Sequence, residues 1–148
     1  MKIIYMLSVN PYLNFNGTTE EAFNLYKKVF GGEFAMVQRF KDTPEAGQVP
    51  ADLGDKIMHI ALPLGKNNML MGTDAMEGLG QKAPTMGNNF YITISTESKE
   101  EADRIFKGLS DGGKVEMPMN DTFWGAYFGM LKDKYDVQWM ISYDKNRQ

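Results

Sequence analysis

The chain repeats itself, and that repeat limits its fold more than any other feature. Residues 18–32 read TTEEAFNLYKKVFGG and residues 98–112 read SKEEADRIFKGLSDG. At an offset of 80, Glu20, Glu21, Ala22, Lys27 and Gly32 recur as Glu100, Glu101, Ala102, Lys107 and Gly112, while Leu25, Tyr26 and Val29 become Ile105, Phe106 and Leu109. Ala22, Leu25, Tyr26 and Val29 sit at i, i+3, i+4 and i+7, one face of a helix. Thr18 or Thr19 and Ser98 are the expected N-caps, and Gly31-Gly32 and Gly112-Gly113 the expected stops. Two copies of one helix imply two copies of one module.

The flanking strands repeat too. Tyr12-Leu13-Asn14-Phe15 alternates, with Leu13 and Phe15 on one face, and Tyr91-Ile92-Thr93-Ile94 alternates in the same way. Further strands are expected at 33–40, 56–64 and 68–73 in the first half, and at 114–119, 125–132 and 137–143 in the second. The chain thus reads as an α+β fold of two β-α-β-β-β modules, about 1–76 and 88–148, making one domain over 1–148. A Gly-, Pro- and Asn-rich linker lies near 78–88. A Pro-, Gly- and acid-rich segment at 42–55 reads as a surface loop or a lid. The start, Lys2-Ile3-Ile4-Tyr5-Met6-Leu7, reads as a strand, too short for a membrane span.

Composition removes several functions. Sixteen Lys and Arg against nineteen Asp and Glu give a net charge of −3, a poor match to nucleic acid. Cysteine is absent, which excludes disulfides, thiolate metal sites and a thiol nucleophile and suits a cytoplasmic location. His59 is the only histidine. Any mechanism needing two imidazoles is therefore excluded.

The segments YLNFNGTTEEAFNLYKKVFGG, KIMHIALPLG with LMGTDAM, and above all VEMPMNDTFWGAYFGMLKDKYDVQWMIS resemble the PhnB-like branch of the vicinal-oxygen-chelate superfamily of glyoxalases, dioxygenases and bleomycin-resistance proteins. The resemblance implies that the modules form a U-shaped half-barrel sheet, helices on its convex face and a site on its concave face. It also implies a homodimer, which unpaired sheet edges would favour. Names attached to this branch mention a ubiquinone methyltransferase or DNA binding. The sequence supports neither, since no Gly-rich turn opens a helix as in a nucleotide-binding unit.

Catalytic members of the superfamily place four metal ligands on the concave face. Carried onto this chain, the first-strand positions fall on Asn10 and Asn89, or on Tyr12 and Tyr91 if the register slips by two. The segment Asp133 to Ile141 follows the family's Asp-Pro-Asp-Gly-Asn-x-Ile-Glu-Leu pattern, with Met140 in place of the ligand Glu. Met71, or Met69, is its counterpart. Amides and thioethers hold first-row divalent ions poorly, so neither a metal nor another cofactor is expected.

The expected ligand wall is Tyr12, Asn14, His59, Tyr91, Trp124, Gln138 and Met140. On Lys56–Leu64, His59 shares a face with Ile57 and Ala61, whereas Met58, Ile60 and Leu62 form the apolar set expected under the helix. Phe123 and Phe128 read as core and Trp124 as the rim of the cleft. Two functions remain open. One is a metal-free binder of an apolar or aromatic small molecule, with no nucleic-acid or membrane partner. The other is a glyoxalase-type enzyme (isomerase, lyase or ring-cleaving dioxygenase) with an atypical metal site or with His59 as base.

Overall fold

Alternating apolar strands around each amphipathic helix produce the same pairing twice. The computed structural model describes residues 7–44 and 46–146. The strand expected at 2–7 lies, except for Leu7, outside the described residues. In chain order the elements are β1 (Tyr12–Phe15), α1 (Thr19–Phe30), β2 (Met36–Arg39), β3 (Ile57–Leu64), β4 (Asn68–Asp74), β5 (Ile92–Ser95), α2 (Lys99–Ser110), β6 (Lys114–Asp121), β7 (Ala126–Lys132) and β8 (Gln138–Asp144). One sheet has the order β1-β4-β3-β2 and the other β5-β8-β7-β6. In each the first strand pairs parallel with the last, and the other pairs are antiparallel. These are the two β-α-β-β-β modules. By contacts the chain divides into residues 1–27 with 31–84, and residues 28–30 with 85–148.

In the first unit, Leu13 and Phe15 of β1 and Ile60, Leu62 and Leu70 of β3 and β4 are buried, as are Ala22, Phe23 and Tyr26 of α1. The helix differs from the sequence pattern in one detail. Leu25 is only half-buried, and Phe23 is fully buried instead. The cause is Gly72 on β4, where a Cβ would lie 2.6 Å from the Phe23 ring. The missing side chain leaves a seat for the ring, and α1 is turned to fill it.

The start of α1 is also held differently than expected. Thr18 makes no side-chain cap. Instead Asp74, at the end of β4 and 1% exposed, accepts the Thr19 N–H through Oδ1 at 3.1 Å and the Ile57 N–H through Oδ2 at 2.8 Å. One carboxylate thus joins helix start, β3 and β4, and its charge favours the N-terminal end of the helix dipole. On β3 the pairing register with β2 shifts beside His59, so strict alternation fails. Ile57 is fully buried and Met58 half-exposed, the reverse of the sequence expectation.

The segment between β2 and β3 is a series of three single-turn 3-10 helices. Arg39 forms an ion pair with Glu20 and donates to the Asp55 carbonyl at 2.7 Å, and the Lys41 N–H donates to the Gly54 carbonyl at 2.9 Å. Its base is therefore tied to α1 and to itself.

In the second unit α2 packs on β6, β7 and β8. Ala102, Ile105, Phe106 and Leu109 are buried, as are Leu131, Trp139 and Ile141 of the sheet. Ser98 caps α2 as expected, accepting the Glu101 N–H at 3.1 Å. The turn before β8 is closed by Asp133, buried, which accepts the Tyr135 and Val137 N–H groups and the Trp139 indole N–H at 2.8, 3.1 and 2.9 Å. Asp136 has φ +69° at the position of the family pattern's Gly. Asp is among the few residues that tolerate that region. At the edge of this packing, Tyr127 on β7 donates to Asp103 on α2 at 2.6 Å, and the Lys99 ammonium lies 4.7 Å from the Tyr127 ring centre. The Asp103 hydrogen bond first, and burial second, push the Tyr127 phenol up to about 12. Among the described residues no helix is long and apolar enough to cross a membrane.

Two stability predictions come from these contacts. Asp74→Ala leaves two buried N–H groups without their carboxylate, and should lower unfolding stability by about 3 kcal/mol, read as a reduced urea midpoint. Tyr127 keeps its proton to higher pH folded than unfolded. Its contribution is therefore complete below about pH 10 and is lost as pH rises through about 12. Urea midpoints measured between these limits should fall more steeply for the native protein than for Tyr127→Phe.

Candidate functional site

The helix covers one face of each sheet and leaves the other face to be functional. In the first unit the free face follows from β1. Leu13 and Phe15 point into the core, so Tyr12 and Asn14 point away from it, and both are exposed. His59 meets Tyr12 there. The two rings stack with centres 5.6 Å apart and planes at 29°, and the Tyr12 hydroxyl lies 3.1 Å from His59 Nδ1. Burial raises the Tyr12 phenol above its usual range, with the Thr73 hydroxyl opposing the shift. A neutral phenol can donate to Nδ1, which then leaves Nε2 carrying the ring hydrogen and able to donate in turn. Thr73 itself donates to the Met58 carbonyl at 2.7 Å.

The register shows which groups stand beside Met71 and Met140. Tyr12 of β1 pairs with Met71 of β4, and Thr93 of β5 with Met140 of β8. Asn10 is engaged elsewhere, its Oδ1 accepting the Met69 N–H at 2.9 Å. In the second unit the Thr93 hydroxyl lies 3.7 Å from the Met140 sulfur. Tyr91, just before β5, donates to both carboxylate oxygens of Glu116 at 3.1 and 3.2 Å. Burial first and that carboxylate second raise its phenol. Gln138 is 5% exposed and donates to the Phe90 carbonyl at 2.7 Å. One of its two amide N–H groups is thereby used within the protein.

Trp124 lies in the turn between β6 and β7 and is 56% exposed, its ring edge-on to both Phe123 and Phe128. Phe123 does not join the core. It is 97% exposed, because Gly125 at φ +95° reverses the chain and turns the tip of the hairpin outward.

The residues expected to form the wall therefore fall into two groups. Tyr12, Asn14 and His59 lie on the first unit, with Tyr12 and His59 in contact; Tyr91, Trp124, Gln138 and Met140 lie on the second. Sequence reasoning missed Thr73 and Glu116. Glu116 was legible only as one polar residue between Val115 and Met117, and its partner Tyr91 is 25 positions away.

The donor set decides how well a metal would fit. The positions carried over from the family hold Asn10 and Asn89, or Tyr12 and Tyr91, with Met71 and Met140, so they offer amides or phenols and two thioethers. Among the described residues no three His, Asp or Glu side chains are grouped as a metal site would need. Zn²⁺, Fe²⁺, Ni²⁺ and Mn²⁺ draw most of their binding from imidazole and carboxylate donors, so these residues do not fit such an ion.

Comparison with known proteins agrees with this architecture. Residues 8–142 match the family model described as 3-demethylubiquinone-9 3-methyltransferase. Protein YjdN of Escherichia coli is 30% identical over 95% of this chain and 98% of its own. The crystal structure of protein PA1353 from Pseudomonas aeruginosa superposes with a TM-score of 0.81 at 39% identity, covering 93% of this chain and 98% of that one. A PhnB protein from Bacillus cereus gives 0.74 at 25% identity, covering 93% and 99%. Glyoxalase/bleomycin resistance proteins share the fold alone, at 15% and 17% identity. The chain belongs to the PhnB-like family of the 3-demethylubiquinone-9 3-methyltransferase model.

Proposed function

We propose that this chain is a metal-free small-molecule-binding protein that holds an apolar or aromatic compound against the helix-free faces of its sheets. The observation that carries the reading is the Tyr12–His59 pair. Its two stacked rings offer an aromatic surface, and their hydrogen bond fixes where the polar edge lies. Met71 stands beside Tyr12, and thioethers adapt to irregular apolar shapes. Aromatic walls with a few fixed polar groups are the usual make-up of a small-molecule site.

The glyoxalase-type enzyme remains as a second reading. Tyr12 and His59 are within proton-transfer distance of each other, as an acid–base pair must be. A homodimer is part of the proposal. Met36 and Val37 on edge strand β2, and Val115 and Met117 on edge strand β6, are exposed apolar side chains suited to burial by a second copy.

Metal analysis separates the two readings. Protein dialysed without chelator should contain well under one equivalent of Zn, Fe, Ni or Mn, and EDTA should not shift its melting temperature. Neutral aromatic fragments should perturb the NMR signals of Tyr12 and His59, with affinity falling about tenfold in Tyr12→Ala, the scale of one lost aromatic contact. A stoichiometric metal ion would put the enzyme first. Fragments that leave Tyr12 and His59 unmoved would remove the binder.

A further inference from the structure

We propose that the second unit carries a subsite for a small organic ammonium group, with Asp144 as its charge partner and Trp124 as its platform. This rests on the small-molecule-binding reading and adds to it, on the second unit alone, a ligand that carries an ammonium group. A cavity of about 190 Å³ is lined by Ser95, Thr96, Trp124, Ala126, Ser142 and Asp144. It forms where the ends of β5 and β8 meet the start of β7, with Ser95 paired to Ser142 and Ala126 to Asp144. That is the space of several waters at about 30 Å³ each, enough for an ammonium and its first carbons.

The chemistry of the walls selects the sign of the ligand. Among the described residues Asp144 accepts the Asn146 N–H, at 2.9 Å, and belongs to none of the ion pairs. The Thr96 hydroxyl lies 3.1 Å from both the Ser98 and Ser142 carbonyls, so its one hydrogen is committed and only its lone pairs remain. Ser95 and Ser142 add hydroxyls that can accept. A carboxylate among acceptors, with no cation paired to it among the described residues, favours a positively charged hydrogen-bond donor.

Trp124 completes the site because it is held but left uncovered. Thr122 grips Ala126 through its N–H and its hydroxyl, at 2.9 and 2.7 Å, and the Gly125 N–H returns to the Thr122 carbonyl at 3.2 Å. Phe128 supports the indole edge-on, with ring centres 5.8 Å apart. An indole fixed by its turn loses little freedom on binding, and its face attracts cations.

The test is an NMR titration with 2-phenylethylammonium and its neutral counterpart 2-phenylethanol. The chain has two tryptophans, so the Trp124 indole N–H is assigned by Trp124→Phe. The ammonium should shift that signal and the Ser142 and Asp144 amides saturably, and at least tenfold more tightly than the alcohol. Asp144→Asn, on an otherwise unchanged spectrum, should weaken the ammonium about tenfold and leave the alcohol alone; Trp124→Ala should weaken both. Equal binding of the two probes, or an Asp144→Asn protein that binds the ammonium as before, would overturn the subsite. So would tighter binding of glucose, a neutral polyol, at the same signals. Aromatic probes that move Tyr12 and His59 while leaving Trp124 still would sink the ammonium subsite and leave the binder reading standing.

Discussion

Asp74 is the contact on which the arrangement of the first unit depends. A carboxylate that is 1% exposed survives only if its oxygens are used, and both are, on the Thr19 and Ile57 N–H groups. Those two bonds fix the start of α1 relative to β3 and β4. Once the helix start is fixed, Phe23 must settle over Gly72, and the buried face of β1 is set as Leu13 and Phe15. Tyr12 then has only the opposite face available, where strand alternation also places His59. The pair that carries the functional reading is thus a consequence of a buried acid with no functional part of its own.

The second unit reaches the same topology with different polar contacts. Here the strand end and helix start are joined by Thr96, whose N–H and hydroxyl both address the Ser142 carbonyl, and by the Ser98 cap. Its buried acid, Asp133, closes a hairpin instead. The free faces diverge too. A phenol meets an imidazole on the first, and a phenol meets a carboxylate on the second. Duplication preserved the apolar frame, which tolerates little change in volume, while the exposed polar residues were free to differ.

The frame was legible in the sequence because periodicity and repetition are local signals. All four strand-and-helix boundaries around each helix fell within a few residues of the pattern, and the family pattern located the hairpin at Asp133–Val137. What escaped was set by contacts distant in sequence. Asp74 lies 55 residues from the N–H it caps, and it reads in sequence as one more acid after Thr73. The Phe23 seat depends on a glycine in another element, and the β3 register shift exchanges Ile57 with Met58 against a clean alternation. For the candidate site, strand parity was enough to place Tyr12 and His59 on one face. It gave no means of knowing that Gln138 spends its amide on Phe90, or that Glu116 faces Tyr91.

The chemistry left on the free faces is neutral or paired almost throughout. Tyr91 has Glu116, Tyr12 has His59, Thr93 has the Met140 sulfur, and Gln138 has a carbonyl. On the proposed reading, a receptor gains from groups already fixed in place. Paired side chains with aromatic and thioether surface between them discriminate by shape and by a few hydrogen bonds. Asp144 departs from that pattern as a carboxylate beside an uncovered indole, with no cation paired to it among the described residues. A ligand of opposite sign meets that charge directly, which is how a largely neutral surface comes to select a cation.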